Sequence, residues 1–138
     1  MKHLILASRL ALVSLGLGFG VSSVAIAVEH MAPEVSLDEF KKVVAAKSAT
    51  IIDANGAASY KSGHIPGAIH FAKHESDFAS VLPKDKNAPI IAYCGGPLCT
   101  AWEDPAVKAK ALGYTNIRHF KGGISGWKSA GQPVDKGV

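Results

Sequence analysis

Short apolar runs that alternate with helical stretches constrain this chain more than any other feature. Thr50-Ile-Ile-Asp-Ala54 is β-branched and apolar, and Asn55-Gly56 punctuates its end, so it reads as a buried strand. Pro89-Ile-Ile-Ala-Tyr93 reads the same way, with its proline at the strand entrance, where a missing N–H does least harm. Ala68–Phe71 and Asn116–Phe120 are further short strands. Ser36-Leu-Asp-Glu39 is a capping box ahead of Phe40, Val43 and Val44, and the spacing predicts a helix over about Ser36–Lys47. Ala57–Ser62 predicts one helical turn before Gly63. Glu75–Leu82 predicts a short helix stopped by Pro83, another helix runs to Gly113, and Ile124–Ala130 makes a last one around Trp127. Strands that alternate with helices argue for an α/β fold, a parallel sheet covered on both faces. Such sheets take ligands beyond the carboxyl ends of their strands, which singles out Asp53–Asn55, Cys94 onward and Lys121–Gly123.

The rest of the chain bounds the function. At 138 residues it has room for one domain, and 48% hydrophobic with 19% charged residues excludes a disordered, collagen-like or coiled-coil chain. Lys2 and Arg9 supply a positive region, Leu10–Val21 an apolar centre, and Ala25-Ile26-Ala27 a small-x-small cleavage site. Residues 1–27 therefore read as an export signal, leaving residues 28–138 as one domain with its core at about 35–134. The competing reading is a retained anchor, since Leu10–Val28 approaches the ~20 residues that span a bilayer. Gly16, Gly18 and Gly20, with Ser14, Ser22 and Ser23, weaken a spanning helix. The expected protein is periplasmic or secreted, without stable membrane association after cleavage. Losing Lys2 and Arg9 leaves 13 basic against 11 acidic residues, with Lys41-Lys42 as the one adjacent basic pair. No basic stripe interleaved with aromatics remains, so nucleic acid is not an expected partner. Val28–Val35 reads as a loose leader.

The chemistry concentrates in Tyr93-Cys-Gly-Gly-Pro-Leu-Cys-Thr100. A cysteine directly after a buried strand, in a loop feeding a helix, sits where backbone N–H groups can converge and favour negative charge. A thiolate held there has a depressed pKa and is a better nucleophile at neutral pH. The same amides could hold a persulfide or an oxyanion. Gly95 and Gly96 suit a loop that curls its amides inward.

Gly63-His-Ile-Pro-Gly-Ala68 resembles the turn signature of rhodanese-like domains. Ile51-Ile52-Asp53, the Cys94 loop and Gly122-Gly123…Trp127 match the same family, over about Val35–Val134. The resemblance implies a three-layer sandwich around a mostly parallel, five-stranded sheet. It also implies ping-pong transfer of sulfane sulfur without metal or organic cofactor. The cysteine matching Cys94 would take sulfur from thiosulfate, a polysulfide or a persulfide. It would pass that sulfur to cyanide or a thiol, with a redox or sulfur-carrier protein as a candidate partner. Gly95, Gly96, Pro97, Leu98, Cys99 and Thr100 would form the substrate loop, with Asp53, Asn55 and Lys121 as candidate supports.

This chain departs from the family at three places. Cys99 stands where many active members close the loop with arginine, and Asn55 replaces the arginine two residues after the strand aspartate. Glu103 and Asp104 follow, and would repel a dianion such as thiosulfate. Pro105 suggests that the helix starts afresh with Asp104 as its cap and Pro105 at its first position. A neutral or persulfidic donor is therefore expected over thiosulfate.

Cys99 carries two readings. As a resolving thiol it would attack a Cys94 persulfide, release sulfide and close a disulfide. As a filler it would be a small buried side chain at the helix start. His64 reads as a turn residue rather than a base, and Asp53 as an acceptor for backbone donors. His30, His70, His74 and His119 lack ligand spacing with either cysteine. Trp102 could wall the pocket or pack elsewhere. A sulfurtransferase is the leading function, and a non-turnover sulfur carrier or dithiol/disulfide module is the alternative. A phosphatase on the same fold would need an arginine in the loop, and none is present.

Overall fold

The computed structural model describes residues 32–137. The export-signal stretch and the first part of the leader lie outside the described residues. Helix α1 (Leu37–Ala46) starts on Ser36, whose Oγ accepts from the Glu39 amide at 3.2 Å. Only half of the expected capping box forms, because Arg118 holds the Glu39 carboxylate instead. Lys47 ends the helix in the left-handed region (φ 51°), its amide donating to the Val43 and Val44 carbonyls. Strand β1 (Thr50–Asp53) follows, then α2 (Ala57–Ser62) and the edge strand β2 (Ile69–His70). A 3₁₀ turn (Phe71–Lys73) and α3 (Phe78–Val81) lead to β3 (Ile90–Tyr93). Then come α4 (Glu103–Ala111), β4 (Ile117–His119) and α5 (Gly123–Ser129).

The sheet is parallel throughout, in the order β2-β1-β3-β4, with Ile52 opposite Ile69 and Ala92, and Ala92 opposite His119. Among the described residues it has four strands, not the five that the resemblance implied. At the β4 edge the fifth position is reduced to one parallel bridge, Glu34 to His119. There the His119 amide reaches the Pro33 carbonyl and the Val35 amide reaches the His119 carbonyl. Pro33 has no N–H to extend the ladder. The loose leader is corrected accordingly: Val35 is buried in the core.

Successive strand side chains point to opposite faces, which divides the core in two. Ile51, Ile91 and Tyr93 face one cluster, with Phe40 from α1, and Ile124 and Trp127 from α5. Ile52, Ile90 and Ala92 face the other, with Phe78, Leu82, Ala106 and Ala109 from the α3 and α4 side. Phe40 packs on Phe120 at 4.4 Å and edge-on to Trp127 at 5.6 Å. The result is a three-layer sandwich with the strand ends open at one rim.

Candidate functional site

Two loops meet at that rim. The first leaves β3 with Cys94, which is 1% exposed, while Leu98 at the far side of the loop is 97% exposed. The second leaves β4 and enters α5 through Gly122 and Gly123. The Ile124 amide donates to the Cys94 carbonyl at 2.9 Å, and the Ser125 amide to the Gly95 carbonyl at 3.0 Å. The first turn of α5 is thereby fastened to the cysteine loop. The approach is so close that Gly123 has no room for a side chain. A Cβ there would lie 2.6 Å from the Cys94 oxygen and the Gly96 nitrogen, and φ is +60°. A Cβ on Gly96 would meet Ser125 Oγ at 2.7 Å. Neither Gly123 nor Ser125 was singled out from sequence as part of the cradle, although the Gly-Gly pair marked the right edge.

Beneath the loop, Asp53 is 1% exposed and fully engaged. One carboxylate oxygen accepts from the Asn55 amide and Asn55 Nδ2, both at 2.7 Å, and the other accepts from the Tyr93 hydroxyl. Tyr93 O–H in turn accepts from the Ile65 amide at 3.0 Å. Burial first, then the Asp53 charge, pushes the Tyr93 phenol far above its ordinary range. Asn55 borders the loop: a Cβ on Gly95 would sit 3.7 Å from its Oδ1.

Cys94 and Cys99 are joined by a disulfide, with Cα atoms 6.2 Å apart, within the usual span. Cys99 is partly exposed, so the buried-filler reading is replaced by that of a bonded partner. The cradle of amides is smaller than the sequence suggests. The Cys99 amide donates to the Gly96 carbonyl at 3.1 Å, and Pro97 has no N–H. Gly95, Gly96, Leu98 and Thr100 are the loop positions left to donate to an anion.

Helix α4 begins at Glu103, with Trp102 as its cap and Pro105 inside the first turn, rather than at Asp104 and Pro105 as expected. The physical reason is a turn that already winds from Thr100: the Glu103 amide reaches the Thr100 carbonyl and the Asp104 amide the Ala101 carbonyl. The structure does not bring Lys121 to the cysteine as a free cation, because its Nζ pairs with Glu34 at 3.1 Å. The Cys94–Cys99 loop itself carries no basic side chain, while Glu103 and Asp104 stand in the first turn of α4.

The described histidines have structural partners, and His30 lies outside the described residues. His64 Nδ1 meets the Tyr60 carbonyl at 2.8 Å, and its backbone pairs with Asp135. His70 Nε2 meets the Asn55 carbonyl at 2.9 Å. The Tyr60 ring lies between both imidazoles, at 3.7 and 4.5 Å. Trp102 stacks on His119 at 3.8 Å, against the α4-side cluster. Burial pushes His119 down to about 4, with Glu34 opposing and Lys121 adding to the effect. Among the described residues, no group of three or more His, Cys, Asp or Glu side chains could hold a metal ion.

A parallel α/β sandwich with a strand-end cysteine in a glycine-rich loop defines the class. The sequence model of the rhodanese-like domain matches residues 36–130, and the chain belongs to that family. It is 24% identical over 101 residues to the thiosulfate sulfurtransferase GlpE of Pseudomonas savastanoi pv. phaseolicola, covering 67% of this chain and 92% of that one. It is 34% identical over 90 residues to the HTH-type transcriptional regulator Rv0324 of Mycobacterium tuberculosis, covering 64% of this chain. The match spans only 38% of that regulator's length. The structure of the human single-domain sulfurtransferase TSTD1 aligns with a TM-score of 0.55 at 26% identity, over 71% of this chain and 96% of that one. The chain is thus similar both to proteins named as sulfurtransferases and to a protein named as a regulator.

Proposed function

We propose that this protein is a sulfurtransferase that carries sulfane sulfur on Cys94, in an exported compartment reached through residues 1–27. The observation that carries the reading is the placement of Cys94 at the carboxyl end of β3, in a loop bordered by Asn55 and fastened by the α5 amides. In the reduced protein, the Cys94 thiolate attacks the outer sulfur of the donor. The donor's S–S bond breaks, its electron pair leaves with sulfite or the donor thiolate, and Cys94 becomes a persulfide. An acceptor thiolate or cyanide then attacks the terminal sulfur and returns Cys94 as the thiolate. The loop amides of Gly95, Gly96, Leu98 and Thr100 stabilise the anionic sulfur at each stage. Without a basic side chain in the loop, and with Glu103 and Asp104 nearby, an organic polysulfide or a persulfide, neutral or singly charged on its sulfur chain, is a better donor than dianionic thiosulfate.

The Cys94–Cys99 disulfide favours a second reading, a dithiol/disulfide module that stores or relays oxidation state without turnover. Sulfur-transfer assays on reduced protein separate the two, with thiosulfate and cyanide in one arm and polysulfide and a small thiol in the other. Expected are faster turnover in the polysulfide arm and a loss of roughly 10²-fold or more in Cys94→Ser. Unchanged turnover in Cys94→Ser overturns the assignment. No transfer from any donor, alongside reversible two-electron cycling, selects the module.

A further inference from the structure

We infer that the Cys94–Cys99 bridge opens from the Cys99 side: an incoming small-molecule sulfur nucleophile bonds to Cys99 Sγ, and Cys94 leaves as the thiolate. This goes beyond sulfur transfer and does not rest on it. A sulfur nucleophile must approach in line with the S–S bond, from behind the sulfur that it attacks. Behind Cys94 lies packed protein. The residue is 1% exposed, its carbonyl is held by the Ile124 amide, and Gly123 presses on its backbone. Moving the Cys94 backbone outward would break its bond from the Ile124 amide and strain the neighbouring one from the Ser125 amide to the Gly95 carbonyl. Cys99, by contrast, is partly exposed and lies between the exposed Leu98 and Thr100, so its end of the bond is the more open to an incoming reagent.

The electron balance sets the order of events. The thiolate's lone pair forms the new S–S bond to Cys99, the old bond breaks, and its pair stays on Cys94. The Cys94 thiolate is thereby released at the loop amides, the neighbours best placed to stabilise it. A second thiolate then attacks the external sulfur of the mixed disulfide, freeing Cys99 as a thiolate and leaving the reductant as its own disulfide. The two cysteines thus divide the work: Cys99 receives the reductant and Cys94 is the leaving group.

Sulfite tests this because it cleaves a disulfide into one S-sulfonate and one thiolate, and an early acid quench fixes that first product before the freed thiolate can expel sulfite and re-close the bridge. The full chain is oxidised with diamide, treated with sulfite, quenched in acid, capped with N-ethylmaleimide and peptide-mapped. A parallel arm uses glutathione. In the native protein the sulfonate and the glutathione adduct should fall on Cys99, with maleimide on Cys94, by about tenfold or more over the reverse. In concentrated guanidinium chloride the preference should vanish, since it comes from the fold. An even split or an excess on Cys94 in the native protein overturns the inference, as does failure of diamide to form the bridge. Sulfur-transfer assays read a different property of Cys94, so neither result decides the other.

Discussion

Replacing Gly123 by alanine is the sharpest test of how the site is built. The new Cβ would stand 2.6 Å from the Cys94 oxygen and the Gly96 nitrogen, and 2.7 Å from the Gly95 carbonyl carbon. All three are backbone atoms, so no side chain can swing aside, and the loop or α5 must move. A left-handed φ costs an alanine about 1–2 kcal/mol, and an overpacked contact of this kind about 1–3 kcal/mol more. Reduced freedom of the unfolded chain returns about 0.4–1 kcal/mol. The net expectation is a destabilisation of about 2–4 kcal/mol, a large share of the ~5–15 kcal/mol that holds a domain together. At about 4–8 °C per kcal/mol for a domain of this size, melting should fall by roughly 10–30 °C. Gly126 supplies the control: it lies in the same helix, and a Cβ there meets nothing within 4 Å. Gly126→Ala should therefore be neutral or stabilising by up to about 1 kcal/mol. Urea denaturation of the two variants and the parent reads the difference. Should Gly123→Ala come within about 0.5 kcal/mol of the parent at unchanged m, the close approach of the two loops is wrong.

Two other predictions follow from the buried polar groups. Tyr93→Phe removes a hydroxyl that donates to Asp53 and accepts from Ile65, leaving two buried groups short of a partner. A loss of about 2–4 kcal/mol by urea denaturation is expected, and a loss below about 0.5 kcal/mol would show that neither bond matters. His119, held down at about 4 by burial, stays neutral in the fold while its unfolded counterpart, at about 6.5, takes up a proton first. Its contribution is whole above about pH 6.5 and fades as the pH falls toward 4. Stacking of the imidazolium on Trp102 and partial solvent screening reduce the effect, to on the order of 1–2 kcal/mol. His119→Gln should flatten the stability–pH curve in that window, and an unchanged slope would refute the assignment.

The elements were legible because local signals agreed with the fold. The apolar runs at Ile51-Ile52 and Ile90-Ile91 became β1 and β3, and the Ser36 cap and its spacing became α1. Ala68–Phe71 shrank to Ile69–His70, because Phe71 opens a 3₁₀ turn that carries its ring into the core. What stayed hidden depends on contacts between residues far apart in the chain. Nothing local to Lys121 announces Glu34, and nothing near Glu39 announces Arg118. In the site, the loop and its cysteines were readable. That Gly123 and Ser125 brace it was not, since that fact exists only once β3 and β4 lie side by side.

The clasp between α5 and the cysteine loop is made of peptide groups alone, Ile124 to Cys94 and Ser125 to Gly95. None of its atoms belongs to a sulfur. Opening the Cys94–Cys99 bond therefore requires none of these fastening bonds to break. Whether the two sulfurs are joined or apart is thus decoupled from the frame that holds their loop.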